Sequence, residues 1–215
     1  MARVLVVLTD GSPSVRTMTG WLAATGCALD VRRPFVEAAV PAVRAFHGLV
    51  VLGGDFGSGA SDGGTPWTAM VRDRIREAAR RGVPTLALGP GHLVAADALG
   101  GTVVPSPYGR EAGLLDVGWG CEVLLDPLFD RVAGEDRAPP PSPRAVTALP
   151  PGGVVLARIG QGHIQVARLA ATVWGVHYVP GADPDTDNDD IGRPLAVAFA
   201  RMVRGRAGAH GELWE

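Results

Sequence analysis

With 215 residues, of which 47% are hydrophobic and 20% charged, the chain is large enough for one globular domain, which we expect to cover residues 1–215. Its net charge of −2 gives no reason to expect a nucleic acid or an anionic membrane as a partner. All 20 basic residues are arginine, so chemistry that depends on a lysine nucleophile or Schiff base is excluded.

The sequence contains little that indicates secretion, membrane insertion or disulfide formation. Residues 3–8 begin an apolar strand and lack the cleavage site of a signal peptide, and no apolar run approaches the ~18 residues that span a bilayer. Cys27 and Cys121 lie far apart without a metal-ligand spacing, which favours two free thiols over a disulfide. We therefore expect a cytoplasmic protein without a metal or other cofactor.

The first half of the chain alternates between buried strands and helices. Continuous apolar runs predict parallel strands covered on both faces, at residues 4–8, 29–32, 49–52 and 85–88. Between them, two helices are predicted. The first covers residues 14–25, and the second begins at Pro66, with Thr65 as its N-cap, and has its body over residues 68–81. This alternation is typical of a doubly wound, mainly parallel, flavodoxin-like α/β sheet flanked by helices.

The second half predicts a small antiparallel extension of that sheet. Short apolar runs predict strands at residues 102–104, 113–117 and 121–125, a hairpin of 154–159 with 164–168, and a late strand at 172–177. A helix over residues 194–204 ends the fold. Residues 134–151 contain six prolines and are predicted to form a loop, because proline is not found in central strands.

Residues 83–92, Val-Pro-Thr-Leu-Ala-Leu-Gly-Pro-Gly-His, form a strand, a sharp turn and the start of a helix. A strand–turn–helix of this shape presents the side chain of its turn residue at the carboxyl end of the strand, where nucleophiles are held. Here the turn residue is Gly89, which has no side chain, and Pro90 after it has no N–H.

Several motifs, in the right order, are similar to those of class I glutamine amidotransferases of the GMP-synthase type. The turn at Gly89 resembles their Gly-Ile-Cys-Leu-Gly-His elbow, and residues 48–54 resemble their oxyanion loop. Asp126-Pro127-Leu128-Phe129 and residues 173–181, Val-Trp-Gly-Val-His-Tyr-Val-Pro-Gly, resemble their Asp-Pro-Leu-Phe segment and Trp-Gly-Val-Gln-Phe-His-Pro-Glu strand. The resemblance implies the fold of that family.

The resemblance also implies a degenerate catalytic triad. It assigns the cysteine position to Gly89, the histidine position to Val179 and the glutamate position to Gly181. In the family, the residue after the cysteine donates its N–H to the oxyanion, which Pro90 cannot do. Losing one oxyanion donor costs ~10²–10³ in rate, and the triad residues act as a unit. We therefore expect no catalytic residue and no glutaminase activity.

Residues predicted to border the old pocket are the candidates for ligand binding: Gly53, Gly54, Gly89, His92, His177 and Tyr178. Their glycines are expected to offer backbone N–H groups, and the missing side chain at position 89 to leave room for a ligand. The two histidines would make binding change between about pH 5.5 and 7.5, unless they only pack and form hydrogen bonds. The aspartates of residues 183–190 lack the glycine and glutamate of a calcium loop and predict a solvated acidic loop at the pocket mouth.

Three functions remain open at this point. The first is a pseudoenzyme that acts as a binding or regulatory module, docked on a synthetase-like partner or on a second copy. The second is a repurposed enzyme in which His177, Tyr178, His92 or a carboxylate of the acidic loop performs acid–base chemistry on a small molecule. The third is a glutaminase with another nucleophile, for which Cys121 would be the thiol to suspect.

Overall fold

In the computed structural model, which describes residues 1–9, 14–37, 39–53, 66–107, 113–134, 137–139, 143–181 and 189–211, strands and helices alternate over the first half. The elements of these residues are β1 (Arg3–Leu8), α1 (Ser14–Ala24), β2 (Ala28–Arg32), β3 (Gly48–Leu52), α2 (Pro66–Arg80), β4 (Thr85–Leu88), α3 (Pro90–Ala98), β5 (Thr102–Pro105), β6 (Leu115–Trp119), β7 (Arg137–Ala138), β8 (Arg144–Ala148), β9 (Val154–Ile159), β10 (His163–Ala170), β11 (Val173–Val176) and α4 (Asp189–Gly211).

Nine strands form one twisted sheet in the order β2-β1-β3-β4-β11-β10-β9-β6-β7. The first five strands of that order pair in parallel, and the remaining pairs are antiparallel. β5 and β8 form a separate antiparallel pair. The predicted fold class, a doubly wound α/β sheet flanked by helices with an antiparallel extension, is confirmed.

Helices cover the central strands on both faces. Successive side chains of a strand point to opposite faces, so Val4 and Val6 of β1 pack against α1 and α4, whereas Leu5 and Val7 pack against α2 and α3. The small β5–β8 pair lies on the α2–α3 side, where Val146 joins the same core. The strands therefore need apolar residues at every position, which explains their unbroken apolar runs.

The predicted strand at residues 121–125 is wrong. This segment forms a 3-10 turn, Cys121–Leu125, in which the Val123 N–H donates to the Gly120 carbonyl at 3.3 Å. β6 pairs with β9 only as far as Trp119 opposite Ala157, and after the Gly120 N–H has donated to the Leu156 carbonyl at 2.8 Å the chain turns away from the strand direction. Only Val123 of the turn is buried.

The predicted loop over residues 134–151 needs a second correction, since it contains two short strands. β7 lies at the outer edge of the nine-stranded sheet, and β8 belongs to the small antiparallel pair. Neither is a central strand, in agreement with the argument from its prolines. Among the described residues, no helix is both long enough and apolar enough to cross a membrane.

Candidate functional site

A glycine turn connects β4 to α3 at the carboxyl edge of the parallel strands. Gly89 has φ 61° and ψ −133°, a conformation that residues with a side chain rarely adopt. Pro90 then opens α3, where its fixed φ fits the first helical position. The His92 N–H donates to the Gly89 carbonyl at 2.9 Å and closes the turn. The backbone therefore has the shape predicted for a nucleophile elbow.

The Gly89 N–H is not available to a ligand. It donates to the Val176 carbonyl at 2.9 Å and to the Tyr178 carbonyl at 3.2 Å, which ties the elbow to the end of β11. Pro90 has no N–H to offer in its place. In this conformation the elbow therefore presents no free backbone N–H from Gly89 or Pro90.

Val179 occupies the space in front of the elbow. A β-carbon placed on Gly89 would lie 2.9 Å from Val179 Cγ2 and 3.8 Å from the Gly53 carbonyl oxygen. Residues 53, 89 and 179 thus meet at the ends of β3, β4 and β11, which are neighbours in the sheet. A valine methyl group therefore takes up part of the space that the missing side chain at position 89 was expected to leave.

Position 181 has no room for a side chain. Gly181 has φ 71°, and a β-carbon there would lie 2.7 Å from both Thr17 Cγ2 and Trp21 Cη2. The Trp21 indole also lies against Gly192 at the start of α4, where a β-carbon would overlap it. Trp21 therefore takes up the volume beside the position to which the resemblance assigned a glutamate.

The histidines at the elbow lie beneath the surface. His92 is fully buried and His177 is 5% exposed, and their ring centroids are 5.5 Å apart. Gly175 of β11 admits the His92 ring, whose Nδ1 lies where a β-carbon on residue 175 would be. Both ring nitrogens of His92 lack a hydrogen-bond partner in the described part of the chain. Tyr178, another candidate residue, is buried as well.

Burial keeps both imidazoles neutral. It lowers the pKa of His177 to about 4, with a further contribution from His163. Burial, aided by His177, lowers the pKa of His92 well below its usual value. Because burial lowers the pKa of both groups, protonating these two imidazoles requires more acid than protonating an exposed histidine.

His163 and Gln165 join this polar cluster, although the sequence did not point to them as site residues. His163 is fully buried, with its Nε2 3.3 Å from Ser106 Oγ. Gln165 is fully buried too, and its backbone carbonyl accepts the backbone N–H of His177 at 2.8 Å. The antiparallel pairing of β10 with β11 brings them together, and no local pattern indicates that register. The cluster does not form a metal site: within the described ranges no three histidine, cysteine or acidic side chains come together as ligands.

Other predicted features fall elsewhere. Gly54, Thr65 and residues 182–188 lie outside the described residues. Cys27 is a buried free thiol and Cys121 an exposed one. Cys121 belongs to the 3-10 turn that follows β6, and in the sheet β6 is separated from β4 by β11, β10 and β9. The sheet order therefore does not bring Cys121 to the elbow.

Comparison with known proteins identifies the fold. No family model and no curated protein matches the sequence. A glutamine amidotransferase from Thermotoga maritima superposes with a TM-score of 0.79 at 16% identity, covering 94% of this chain and 98% of that chain. A putative GMP synthase subunit from Thermoplasma acidophilum gives 0.72 at 16% identity, with 98% of each chain covered.

PurLQS from Thermotoga maritima is also similar, with a TM-score of 0.65 at 15% identity over 91% of this chain and 97% of that chain. At these identities the likeness concerns the fold alone. The chain has a glutamine amidotransferase-like α/β fold, and the elbow of Gly89 lies at the carboxyl end of a central strand in it.

Proposed function

We propose that this chain is a glutamine amidotransferase-like protein without glutaminase activity, a pseudoenzyme that serves as a binding or regulatory module. The observation that carries the proposal is that Gly89 and Val179 face each other across the elbow. Hydrolysis of a carboxamide by this mechanism needs a thiolate and a base that accepts its proton. Glycine has no side chain, and the valine side chain neither accepts nor donates a proton.

The rest of the elbow supports the same conclusion. Pro90 supplies no N–H for an oxyanion, and the Gly89 N–H is already donated to two carbonyl groups. Trp21 fills the volume next to Gly181, so a glutamate that would orient a base is not accommodated. These features belong to different segments of the chain, and each of them alone would impair the reaction.

A retained framework is the reason to propose a binding role. The backbone of the elbow keeps its unusual conformation without a nucleophile, and its strands and helices remain closely packed. Two similar structures carry names that refer to PurLQS and to a GMP synthase subunit. We propose by analogy that this chain docks on a synthetase-like protein, with a second copy of the chain as the alternative partner.

The alternative of a repurposed enzyme receives less support. It requires His92, His177, Tyr178 or a carboxylate of the acidic loop to exchange protons with a substrate. The first three side chains are buried, and residues 182–188 of the loop lie outside the described residues. The low pKa values of the two histidines also make them weak bases at neutral pH. We therefore favour a binding function for this chain over catalysis at the elbow.

A glutaminase assay tests the proposal. The purified chain should release no ammonia from glutamine above a heat-denatured control, and Gly89→Cys should release none either, because Val179 accepts no proton. The double variant Gly89→Cys/Val179→His, which puts a thiol opposite an imidazole, is the informative comparison. Cys121→Ser checks the remaining exposed thiol. Ammonia release by the unaltered chain that is lost on replacing Cys121 or filling the elbow with Gly89→Trp would refute the proposal.

A further inference from the structure

Charged side chains are distributed unequally over the two helical layers. On the α2–α3 side, three arginines of α2 and Arg81 directly after it pair with carboxylates: Arg72–Asp97 at 2.8 Å, Arg74–Glu77 at 3.3 Å, Arg76–Asp73 at 3.1 Å and Arg81–Glu77 at 3.3 Å. On the α1–α4 side, α1 and α4 contain five arginines, and their acidic residues are Asp189 and Asp190 at the start of α4. None of these five forms an ion pair with a described acidic side chain.

Part of this positive charge forms a stripe along α4. Arg193, Arg201 and Arg204 are exposed, and Val197 between them is half-buried. Their spacing of about one helical turn or its multiples places them on one side of the helix. Trp21 of α1, also half-buried, lies against Gly192 beside the first of these arginines. We call these five residues the α1–α4 face.

The composition of the α1–α4 face is that of a protein interface. Protein–protein interfaces are enriched in arginine and aromatic residues and depleted in lysine, glutamate and aspartate. A guanidinium group pairs with a carboxylate through two parallel hydrogen bonds, which favours a partner with fixed acidic groups. Along the axis of α4, Arg193 and Arg201 are separated by about 12 Å, a distance that carboxylates two turns apart on a second helix would match.

We propose that the α1–α4 face is a docking surface for an acidic segment of a partner protein, whose carboxylates pair with Arg193, Arg201 and Arg204. This inference rests on the proposed function, since it assigns a surface to the binding module. Charge complementarity selects the occupant. The half-buried Trp21 and Val197 beside the arginines favour a protein segment over a nucleic acid or an anionic membrane, because a protein segment offers apolar side chains as well as carboxylates.

The test measures binding of fluorescent poly-L-glutamate to the full chain at low ionic strength. Arg193→Glu/Arg201→Glu should weaken binding at least tenfold, and Arg193→Gln/Arg201→Gln should weaken it less. The control Arg33→Glu/Arg80→Glu changes the net charge equally at two exposed arginines away from this face and should stay within twofold of the unaltered chain. Arg204 is left unaltered in these variants, because its side chain donates to the Thr25 carbonyl at 2.8 Å and its replacement would also remove that contact between α4 and the end of α1.

Several outcomes would overturn this proposal. They are an unaltered chain that does not bind polyglutamate, equal weakening by the two charge-reversed variants, and tighter binding of double-stranded DNA or phosphatidylglycerol vesicles at the same arginines. A glutaminase assay on the same preparation separates the two proposals. Glutaminase activity would refute the pseudoenzyme and leave the docking surface standing. Polyglutamate binding that does not change when Arg193 and Arg201 are replaced would refute the docking surface and leave the pseudoenzyme standing.

Discussion

Two buried polar sites on this sheet differ in how completely their groups are paired. Asp126, in the segment that resembles the Asp-Pro-Leu-Phe motif, is 1% exposed and accepts N–H groups from Leu128 at 3.0 Å and Phe129 at 3.1 Å. Trp174 Nε1 lies 3.0 Å and 3.1 Å from its two oxygens, and Arg168 lies 3.4 Å away. The carboxylate is therefore surrounded by donors.

The histidine cluster at the elbow is the contrasting site. His92 is buried to the same degree, but its ring nitrogens have no hydrogen-bond partner among the described residues. A buried carboxylate without donors is too costly to keep, whereas a neutral imidazole tolerates poor pairing at a smaller cost. From this difference we expect Asp126 to contribute more to the stability of the fold than the polar groups of the elbow do.

The largest expected effect is at Asp126. Asp126→Ala should lower the free energy of unfolding by about 3–5 kcal/mol, because it leaves Arg168 and three N–H groups without their acceptor. Asp130→Ala is the matched control, since Asp130 pairs with Arg131 at 3.7 Å on the surface and should cost at most ~1 kcal/mol. Urea denaturation measures both. Equal costs would show that the Asp126 contacts contribute little.

Acid should destabilise the protein through the elbow histidines. The pKa of His177 is about 4 in the folded chain, against an ordinary value of 6.5. Between these two pH values the unfolded chain therefore binds a proton at this residue and the folded chain does not. Its contribution is complete above pH 6.5 and is lost between pH 6.5 and 4, on the order of 3 kcal/mol in all. His92, with a pKa shifted in the same direction, adds to the loss.

The measurement is the free energy of unfolding from pH 7.5 to pH 4.5 for the unaltered chain and for His177→Gln. The variant should lose less stability on acidification. The slope of its free energy of unfolding against pH should be smaller by the contribution of about one bound proton. Identical slopes for the two proteins would mean that His177 titrates normally and is accessible to water.

A smaller effect is expected from the crowding at Gly181. Gly181→Ala should cost about 1–3 kcal/mol more than Gly113→Ala, through overpacking against Thr17 and Trp21. Gly113 is the control because it has φ 75°, close to the 71° of Gly181, with nothing within 4 Å of an added β-carbon. Both changes carry the same backbone strain, so thermal or urea unfolding isolates the contact with Trp21. A negligible difference would contradict the close packing of Trp21 on Gly181.

The smallest expected effect is the coupling of Gly89 to Val179. Gly89→Ala puts a methyl group 2.9 Å from Val179 Cγ2, and Val179→Ala should relieve that contact. A double-mutant cycle on unfolding should therefore give a favourable coupling of about 0.5–1 kcal/mol. Additive changes would show that the two side-chain positions do not face each other.

Much of the fold followed from the sequence. The apolar runs of β1, β3 and β4 were located to within a residue or so, because strands buried on both faces leave a continuous pattern. The segment Cys121–Leu125 was misread, since its apolar residues resemble a strand although only Val123 is buried. A short apolar run does not indicate by itself whether a neighbouring strand is available for pairing, so it does not distinguish a strand from a turn.

The sequence by itself determined the architecture, the glycine elbow and the absence of a nucleophilic side chain at residue 89, because each depends on local patterns or on residue identity. Only the tertiary structure decided what surrounds that elbow. Val179 fills space in front of Gly89, Trp21 packs against Gly181, and burial together with His163 lowers the pKa of His177. Such properties depend on strand register and helix packing, and residues distant in sequence set them jointly.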